Sequence, residues 1–203
     1  GEVKVGDYAF AQIDSARRAQ IRVHHTSAHL LQAALIKVLG DEVKQAGSQV
    51  EDNRMRFDFT FSRAMTPQEV KKTEDIMNKW IGEKLPVNTD VMGIEEAKLT
   101  GATALFGEKY EDVVRVVSIG GKAKCNCGSD CSCDHESGEE KEVISKEFCA
   151  GTHASNTADL RLVKIVSEGA IAAGTRRIEA VVADAAIDYL NAKSAEIDKL
   201  ASR

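Results

Sequence analysis

The sequence lacks the features of a membrane protein or an exported protein. No apolar run approaches the roughly 18 residues that a membrane-spanning helix needs, and the N-terminus has no signal-peptide pattern. The chain also lacks an excess of positive charge, because its 27 Lys and Arg residues face 32 Asp and Glu residues, for a net charge of -5. The total charge therefore gives no sign of a nucleic-acid binder, and we expect a cytoplasmic protein with no membrane partner.

An evenly paired, widely spaced set of cysteines is missing as well. The chain has five cysteines, an odd number, and four of them crowd into one short segment. Such a pattern suits thiols or metal ligands in a reducing cytosol better than a secreted disulfide framework.

Basic residues are dense at two places despite the acidic total. Arg17, Arg18 and Arg22 precede a histidine-containing stretch, and Arg176 and Arg177 lie far downstream. A local basic patch can hold a phosphate backbone. The alternative, ordinary solvated surface charge, stays open for each of these residues.

The order of the predicted elements favours an α+β fold with a largely antiparallel sheet packed with helices, because strands and helices mix rather than alternate strictly. Asp14 or Ser15 is a suitable N-cap for a helix that ends at Gly40, with a break near the histidines left open. Thr66, Pro67 and Glu69 predict a second helix start. The patterns indicate strands within 2–14, 54–61, 86–94, 112–120, 160–168 and 175–183, a short helix near 94–99 and a terminal helix over 184–203.

Two pairs of metal-capable side chains share one spacing. In "VHHTSAHLLQAAL", His25 and His29 are four residues apart and lie on one helix face, which lets two imidazoles reach one ion. In "CAGTH", Cys149 and His153 repeat the spacing. A mixed nitrogen and sulfur set favours Zn²⁺. Four protein ligands are typical of a structural site and three plus a water of a catalytic one, and spacing leaves both open.

Several motifs together resemble the editing domain of the alanyl-tRNA synthetase family. They are "HHTSAHLLQAAL", "QAGSQVEDNRMRFDFT", "VRVVSIG", "EFCAGTH" and "GAIAAGTRRIEAV", in the family's order. Free-standing alanyl-tRNA editing proteins and the threonyl-tRNA synthetase editing module are related. The resemblance runs from about residue 3 to residue 185 and implies that fold, with hydrolysis of Ser-tRNA(Ala) and Gly-tRNA(Ala) as the activity. The adenylate-forming, ATP-binding region of the ligase is not part of the matched chain.

The resemblance also implies roles for particular residues. His25, His29, Cys149 and His153 match the family's zinc ligands, and Gln45 matches a glutamine beside the amino-acid pocket. Zinc can polarise an ester carbonyl, activate water or orient the substrate, and Gln45 would position the substrate or that water. A second hydrolytic site is needed because a pocket built for alanine rejects glycine and serine poorly. The implied partners are the acceptor end of mischarged tRNA(Ala) and the rest of the synthetase.

Two positions depart from the family pattern. Ala28 stands where the family usually has Thr, and Ala150 stands where it usually has Gly. The missing hydroxyl at position 28 affects the expected recognition of serine, whereas the predicted ligands are all present.

The chain opens "GEVKVGDY" without an initiator Met, so we interpret it as a piece of a longer protein. We expect residues 1–14 to end a preceding β-rich subdomain and residues 15–185 to form the editing domain. Residues 186–203 would begin a helical linker.

Residues 122–142 read as a cysteine-rich insertion in the editing domain, without apolar periodicity. Cys125, Cys127, Cys131 and Cys133 could hold a second, soft-metal site, and the alternative is a loop without a role in editing. Two other functions stay open for the chain: a zinc-stabilised tRNA-binding module without catalysis, and a metal-handling protein.

Overall fold

The computed structural model describes residues 4–104, 110–122 and 141–202. Its elements, in chain order, are α1 (Ser15–Leu39), β1 (Gln45–Val50), β2 (Met55–Thr60), α2 (Pro67–Gly82), β3 (Val87–Gly93), α3 (Ile94–Leu99), β4 (Val113–Gly121), β5 (Lys141–Phe148), a 3₁₀ turn (Thr157–Leu160), β6 (Val163–Ala172), β7 (Thr175–Val182) and α4 (Asp184–Ala201). The expected α+β class is confirmed.

The described strands form two antiparallel sheets rather than one. A four-stranded sheet has the order β1-β2-β7-β6, and a three-stranded sheet has the order β3-β4-β5. The predicted class of sheet is therefore correct, but the sequence did not reveal the division into two. The second sheet carries β5, whose last residue directly precedes Cys149.

Helix α1 is continuous over 25 residues and lies at the centre of the fold. The Asp14 side chain accepts a hydrogen bond from the backbone N–H of Arg17, and Gly40 ends the helix with φ 105°. No break occurs at the histidines. Its middle faces the interior, where Leu30, Leu31 and Leu35 are fully buried in the main core.

Helix α2 begins as its sequence predicts. Thr66 and Glu69 form the reciprocal capping box, in which each side chain accepts from the other's backbone N–H, and Pro67 occupies the first turn. Its inner face packs Met77, Trp80 and Ile81 into the same core as β2 and β7.

The prediction of strands at the N-terminus is wrong for the described part, 4–14. Val5, Tyr8, Phe10 and Ile13 alternate as a strand would, yet all four side chains are exposed and no strand forms there. An alternating pattern stabilises a strand only where a neighbouring strand pairs with it, and this segment pairs with none of the described strands. No helix in the described part of the chain is long and apolar enough to cross a membrane.

Candidate metal centre

Helix α1 supplies two of the four predicted ligands. His25 and His29 are one turn apart and face the start of the loop that follows β5, with ring centroids 5.4 Å apart. His29 is almost fully buried. The neighbouring His24 is also buried, but its Nδ1 lies 2.9 Å from the carbonyl oxygen of Gln20 on the same helix. The His24 ring therefore contacts the backbone of its own helix and is not part of the cluster.

The loop after β5 supplies the other two ligands. Arg115 on β4 fixes this loop, because its Nη1 donates to the carbonyl oxygens of both Cys149 (2.9 Å) and Gly151. In return, the backbone N–H of Cys149 donates to the carbonyl of Arg115 at 3.0 Å. Two adjacent strands thus hold the thiol in a fixed position beside α1.

The four side chains converge on one point. The ligand atoms of His25, His29, Cys149 and His153 all lie within 4.8 Å of one another. Cys149 Sγ is 3.6 Å from His25 Nε2 and 3.3 Å from His153 Nε2. The ring centroid of His153 lies 4.2 Å from that of His25 and 4.8 Å from that of His29.

The two sulfur–nitrogen distances fit a zinc ion. A tetrahedral site with Zn–N near 2.0–2.1 Å and Zn–S near 2.3 Å places its ligand atoms roughly 3.3–3.7 Å apart. The two sulfur–nitrogen distances fall in that range, and one thiolate with three imidazoles is a ligand set that zinc accepts. The residues present therefore fit the metal that the sequence predicts.

Each of the three imidazoles meets a polar group at the nitrogen that faces away from the common point. Nδ1 of His25 lies 3.2 Å from the carbonyl oxygen of Thr152, and Nδ1 of His153 lies 3.2 Å from Oγ1 of Thr26. Nδ1 of His29 lies 2.9 Å from Oε2 of Glu147, at ion-pair distance although off the hydrogen-bond direction. Such contacts set which ring nitrogen is left to bind a metal.

The electrostatics of the cluster favour a charged thiolate. Burial raises the pKa of Cys149, but hydrogen bonds with His153, His25 and His29 outweigh burial and lower this pKa from 9.0 to about 3. Burial lowers the pKa of His29, whereas the negative charges of Glu147 and Cys149 raise it to about 10. Burial is the main reason that the pKa of His153 falls to about 4. The thiolate is the form that binds metals.

Gly151 allows α1 and the loop to approach this closely. A Cβ atom added at Gly151 would overlap the imidazole ring of His25. Ala150, the departure in the "CAGTH" motif, is an exposed residue. Position 151 therefore requires glycine, whereas the exposed position 150 accepts alanine.

A small cavity of about 80 Å³ opens beside three of the ligands. Its other lining residues are Ala28, Gln45, Ser48, Glu147 and Phe148. Nε2 of Gln45 donates to Oγ of Ser48 at 3.1 Å. The cavity therefore combines the cluster with polar groups from β1, and Ala28 adds a methyl group between the two histidines of α1.

A larger cleft of about 780 Å³ is lined in part by His153. Arg22, Arg115 and Arg161 contribute positive charge to its wall, and Asp159 and Asp184 contribute negative charge. Only Arg22 among the five predicted tRNA-contacting arginines lines this cleft.

Three of these five arginines form ion pairs within the chain. Arg17 pairs with Asp52 at 2.9 Å on the surface. Arg176 and Arg177 make bidentate contacts with Glu168 and Asp58, respectively. Their role in binding tRNA, like that of Arg18 and Arg22, stays a prediction.

Several contributing residues did not emerge from the sequence. Glu147 and Thr26 each lie within three residues of a predicted ligand, so the signal was proximity to the motifs "EFC" and "HTSAH". Arg115 and Ser48 gave no comparable signal, because their roles depend on strand pairing. The predicted second-site residues Cys125, Cys127, Cys131 and Cys133 lie outside the described residues.

The chain is similar in sequence to known proteins. Residues 114–179 match the family described as "Threonyl and Alanyl tRNA synthetase second additional domain". Over its full 203 residues the chain is 45% identical to an alanine–tRNA ligase from Synechococcus sp. (strain JA-3-3Ab). The chain spans about a fifth of the length of that curated relative, 20%.

Proposed function

The chain belongs with the editing regions of the alanyl-tRNA synthetases, and from this we propose that it hydrolyses the ester of mischarged Ser-tRNA(Ala) and Gly-tRNA(Ala). The observation that supports the proposal best is the convergence of His25, His29, Cys149 and His153 beside a small cavity. A deacylase needs such a reactive centre next to a pocket that accepts only a small side chain.

The residues around the cavity divide the work of binding and orientation. When bound, zinc would polarise the ester carbonyl or lower the pKa of a water molecule to about 7. Gln45 has a side-chain amide at the cavity wall, where it can hydrogen-bond the substrate or the attacking water. The hydroxyl of Ser48 in the same wall is a second group that can hydrogen-bond the substrate. With Ala28 in place of Thr, we assign recognition of the serine hydroxyl to the β1 side of the cavity.

The size of the cavity also bears on specificity. At about 80 Å³ it suits the side chain of serine or the hydrogen of glycine better than a large amino acid. A wall that hydrogen-bonds the serine hydroxyl makes no such bond with alanine, which lacks the hydroxyl. Polar lining therefore favours serine over the correct amino acid.

A second candidate function is a zinc-stabilised tRNA-binding module without catalysis. Four protein ligand atoms within 4.8 Å can complete a tetrahedral shell, which is the arrangement of structural zinc sites. In that case the metal would stabilise the junction of α1 with the β5 loop.

Deacylation assays distinguish the two functions. The zinc-loaded chain should release serine and glycine from tRNA(Ala) and spare Ala-tRNA(Ala). Chelation, His29→Ala and Cys149→Ser should each abolish release, and added zinc should restore only the chelated wild type. Zinc binding at one equivalent without release of serine would support the structural module instead.

The larger assembly follows from the same proposal. We infer that residues 15–185 act as the editing domain of a cytoplasmic alanine–tRNA ligase, with residues 1–14 and 186–203 leading to its other parts. The acceptor end of tRNA(Ala) would be the partner, contacted by Arg18 and Arg22. If Arg22 contacts a phosphate, Arg22→Gln should lower the affinity for tRNA. It should also reduce the slope of log affinity against log salt concentration by about 1.

A further inference from the structure

Glu147 is a buried carboxylate in an unusual position beside the cluster. It lies on β5, two residues before Cys149, and is only 8% exposed. Oε2 is 2.9 Å from Nδ1 of His29, and Oε1 accepts a hydrogen bond from Oγ of Ser145 at 2.7 Å. Among the described residues, His29 is its one ion-pairing partner. A buried carboxylate is costly unless a positive charge compensates it, so this position indicates a role at the cluster.

The partner of His29 differs in kind from those of the other two imidazoles. His25 and His153 meet a backbone carbonyl and a hydroxyl, which are neutral. At its remote nitrogen, His29 is the one imidazole of the three that meets a charged group among the described residues. A carboxylate at the remote nitrogen of a metal-binding imidazole orients the ring, fixes its tautomer and strengthens it as a ligand.

The charges of the centre also balance around a divalent ion. The thiolate of Cys149 contributes one negative charge, and the carboxylate of Glu147 contributes a second. Imidazoles that bind a metal are neutral and add none, so the site would be electrically neutral when it holds a 2+ ion. Because two of the ligands are buried and the other two are partly buried, this neutrality lowers the cost of placing a net charge inside the protein.

We propose that Glu147 is a positioning residue, which orients His29 and supplies the second negative charge that the centre needs to hold a divalent cation tightly. The inference rests on the proposed metal centre and adds a residue to it. Ser145 supports Glu147 in turn by holding its other oxygen.

The test compares Glu147→Gln with Glu142→Gln, an exposed glutamate on the same strand. Both changes are made in the full chain with Cys125, Cys127, Cys131 and Cys133 replaced by Ser. These replacements remove the other thiols, so that the zinc measured is zinc bound at the cluster that contains Cys149. Zinc affinity is obtained by chelator competition, and Co²⁺ absorption reports the geometry of the ligands. Glu147→Gln should lower zinc affinity by about 10- to 100-fold and alter the Co²⁺ spectrum, and Glu142→Gln should change neither.

Wild-type affinity with a wild-type Co²⁺ spectrum in Glu147→Gln would overturn the inference. If Glu147→Gln does not fold, Ser145→Ala replaces it, with an expected loss of about fivefold in zinc affinity, and no loss there would overturn the inference equally. A parent chain that binds zinc but does not release serine would refute the proposed hydrolysis and leave the role of Glu147 intact. A parent chain that binds no zinc would refute both.

Discussion

Gly151 lies against the imidazole of His25, so closely that a side chain at this position would occupy the space of the ring. The contact joins the middle of α1 to the loop after β5, across 126 positions of the sequence (151 − 25). It therefore sets how near the two halves of the cluster can come.

The first prediction concerns this contact. Gly151→Ala should displace His25 from Cys149, so we expect the variant to lose most of its bound zinc while keeping its helical circular dichroism. Ala150→Gly is the matched control, because residue 150 is the neighbouring position of the same loop and is exposed. Metal analysis after gel filtration measures both, and full zinc content in Gly151→Ala would contradict the geometry.

The second prediction concerns the state of Cys149 in metal-free protein. Because hydrogen bonds from the histidines lower its pKa to about 3, the thiolate form should persist as the pH falls from 8 to 5. Alkylation by iodoacetamide, followed by mass spectrometry of the peptide that contains Cys149, should vary by less than about twofold in this range. In denaturant the rate should rise about tenfold per pH unit, as for a thiol with a pKa near 8.5. The same steep rise in the folded protein would refute the prediction.

The third prediction concerns Thr26, which is fully buried. Its Oγ1 donates to the carbonyl of Arg22, accepts from the backbone N–H of Ala154 at 3.0 Å and contacts Nδ1 of His153. Thr26→Val would leave the Ala154 N–H without a partner, at a cost of about 1–3 kcal/mol in the free energy of unfolding.

Urea unfolding of the metal-free protein measures this cost, and chelator competition measures the accompanying loss of zinc affinity. Thr26→Ser keeps the hydroxyl and is the control. Equal stability and affinity of the Val and Ser variants would show that the hydroxyl is not used.

The fourth prediction concerns substrate recognition. If Gln45 contacts the serine hydroxyl, Gln45→Ala should slow the deacylation of Ser-tRNA(Ala) about tenfold more than that of Gly-tRNA(Ala), since glycine has no hydroxyl to lose. Gln49→Ala is the control, because Gln49 is on the same strand but pairs with Glu51. Equal slowing of the two substrates would assign Gln45 to the water or the common ester instead.

The fifth prediction separates structural from surface arginines. Arg176 and Glu168 form a pair whose side chains are 13% and 10% exposed, whereas the side chains of Arg161 and Asp184 are 62% and 58% exposed. Arg176→Gln should cost about 1.5–3 kcal/mol in unfolding free energy, because it removes the two charge-assisted hydrogen bonds to a largely covered carboxylate. Arg161→Gln should cost about 0–1 kcal/mol. Urea unfolding compares them, and similar costs would contradict the assigned burial.

The sequence predicts some elements well because their signals are local. The capping box of Thr66 and Glu69 depends on residues three positions apart, and the structure contains it. The alternation of Phe57 and Phe59 likewise appears as buried residues of β2. By contrast, β1 has a polar sequence and was not predicted. It forms at the sheet edge because β2 pairs with it.

By itself, the sequence determined the spacing within each pair of candidate ligands, because one helical turn puts His25 and His29 on one face and a short loop joins Cys149 to His153. Only the tertiary structure decided that the two pairs meet, since this depends on how α1 packs against the β5 loop held by Arg115. It also brought Glu147 to His29 and Thr26 to His153. Contacts between residues more than a hundred positions apart leave no periodic trace in the chain, because they arise from packing and not from local backbone geometry.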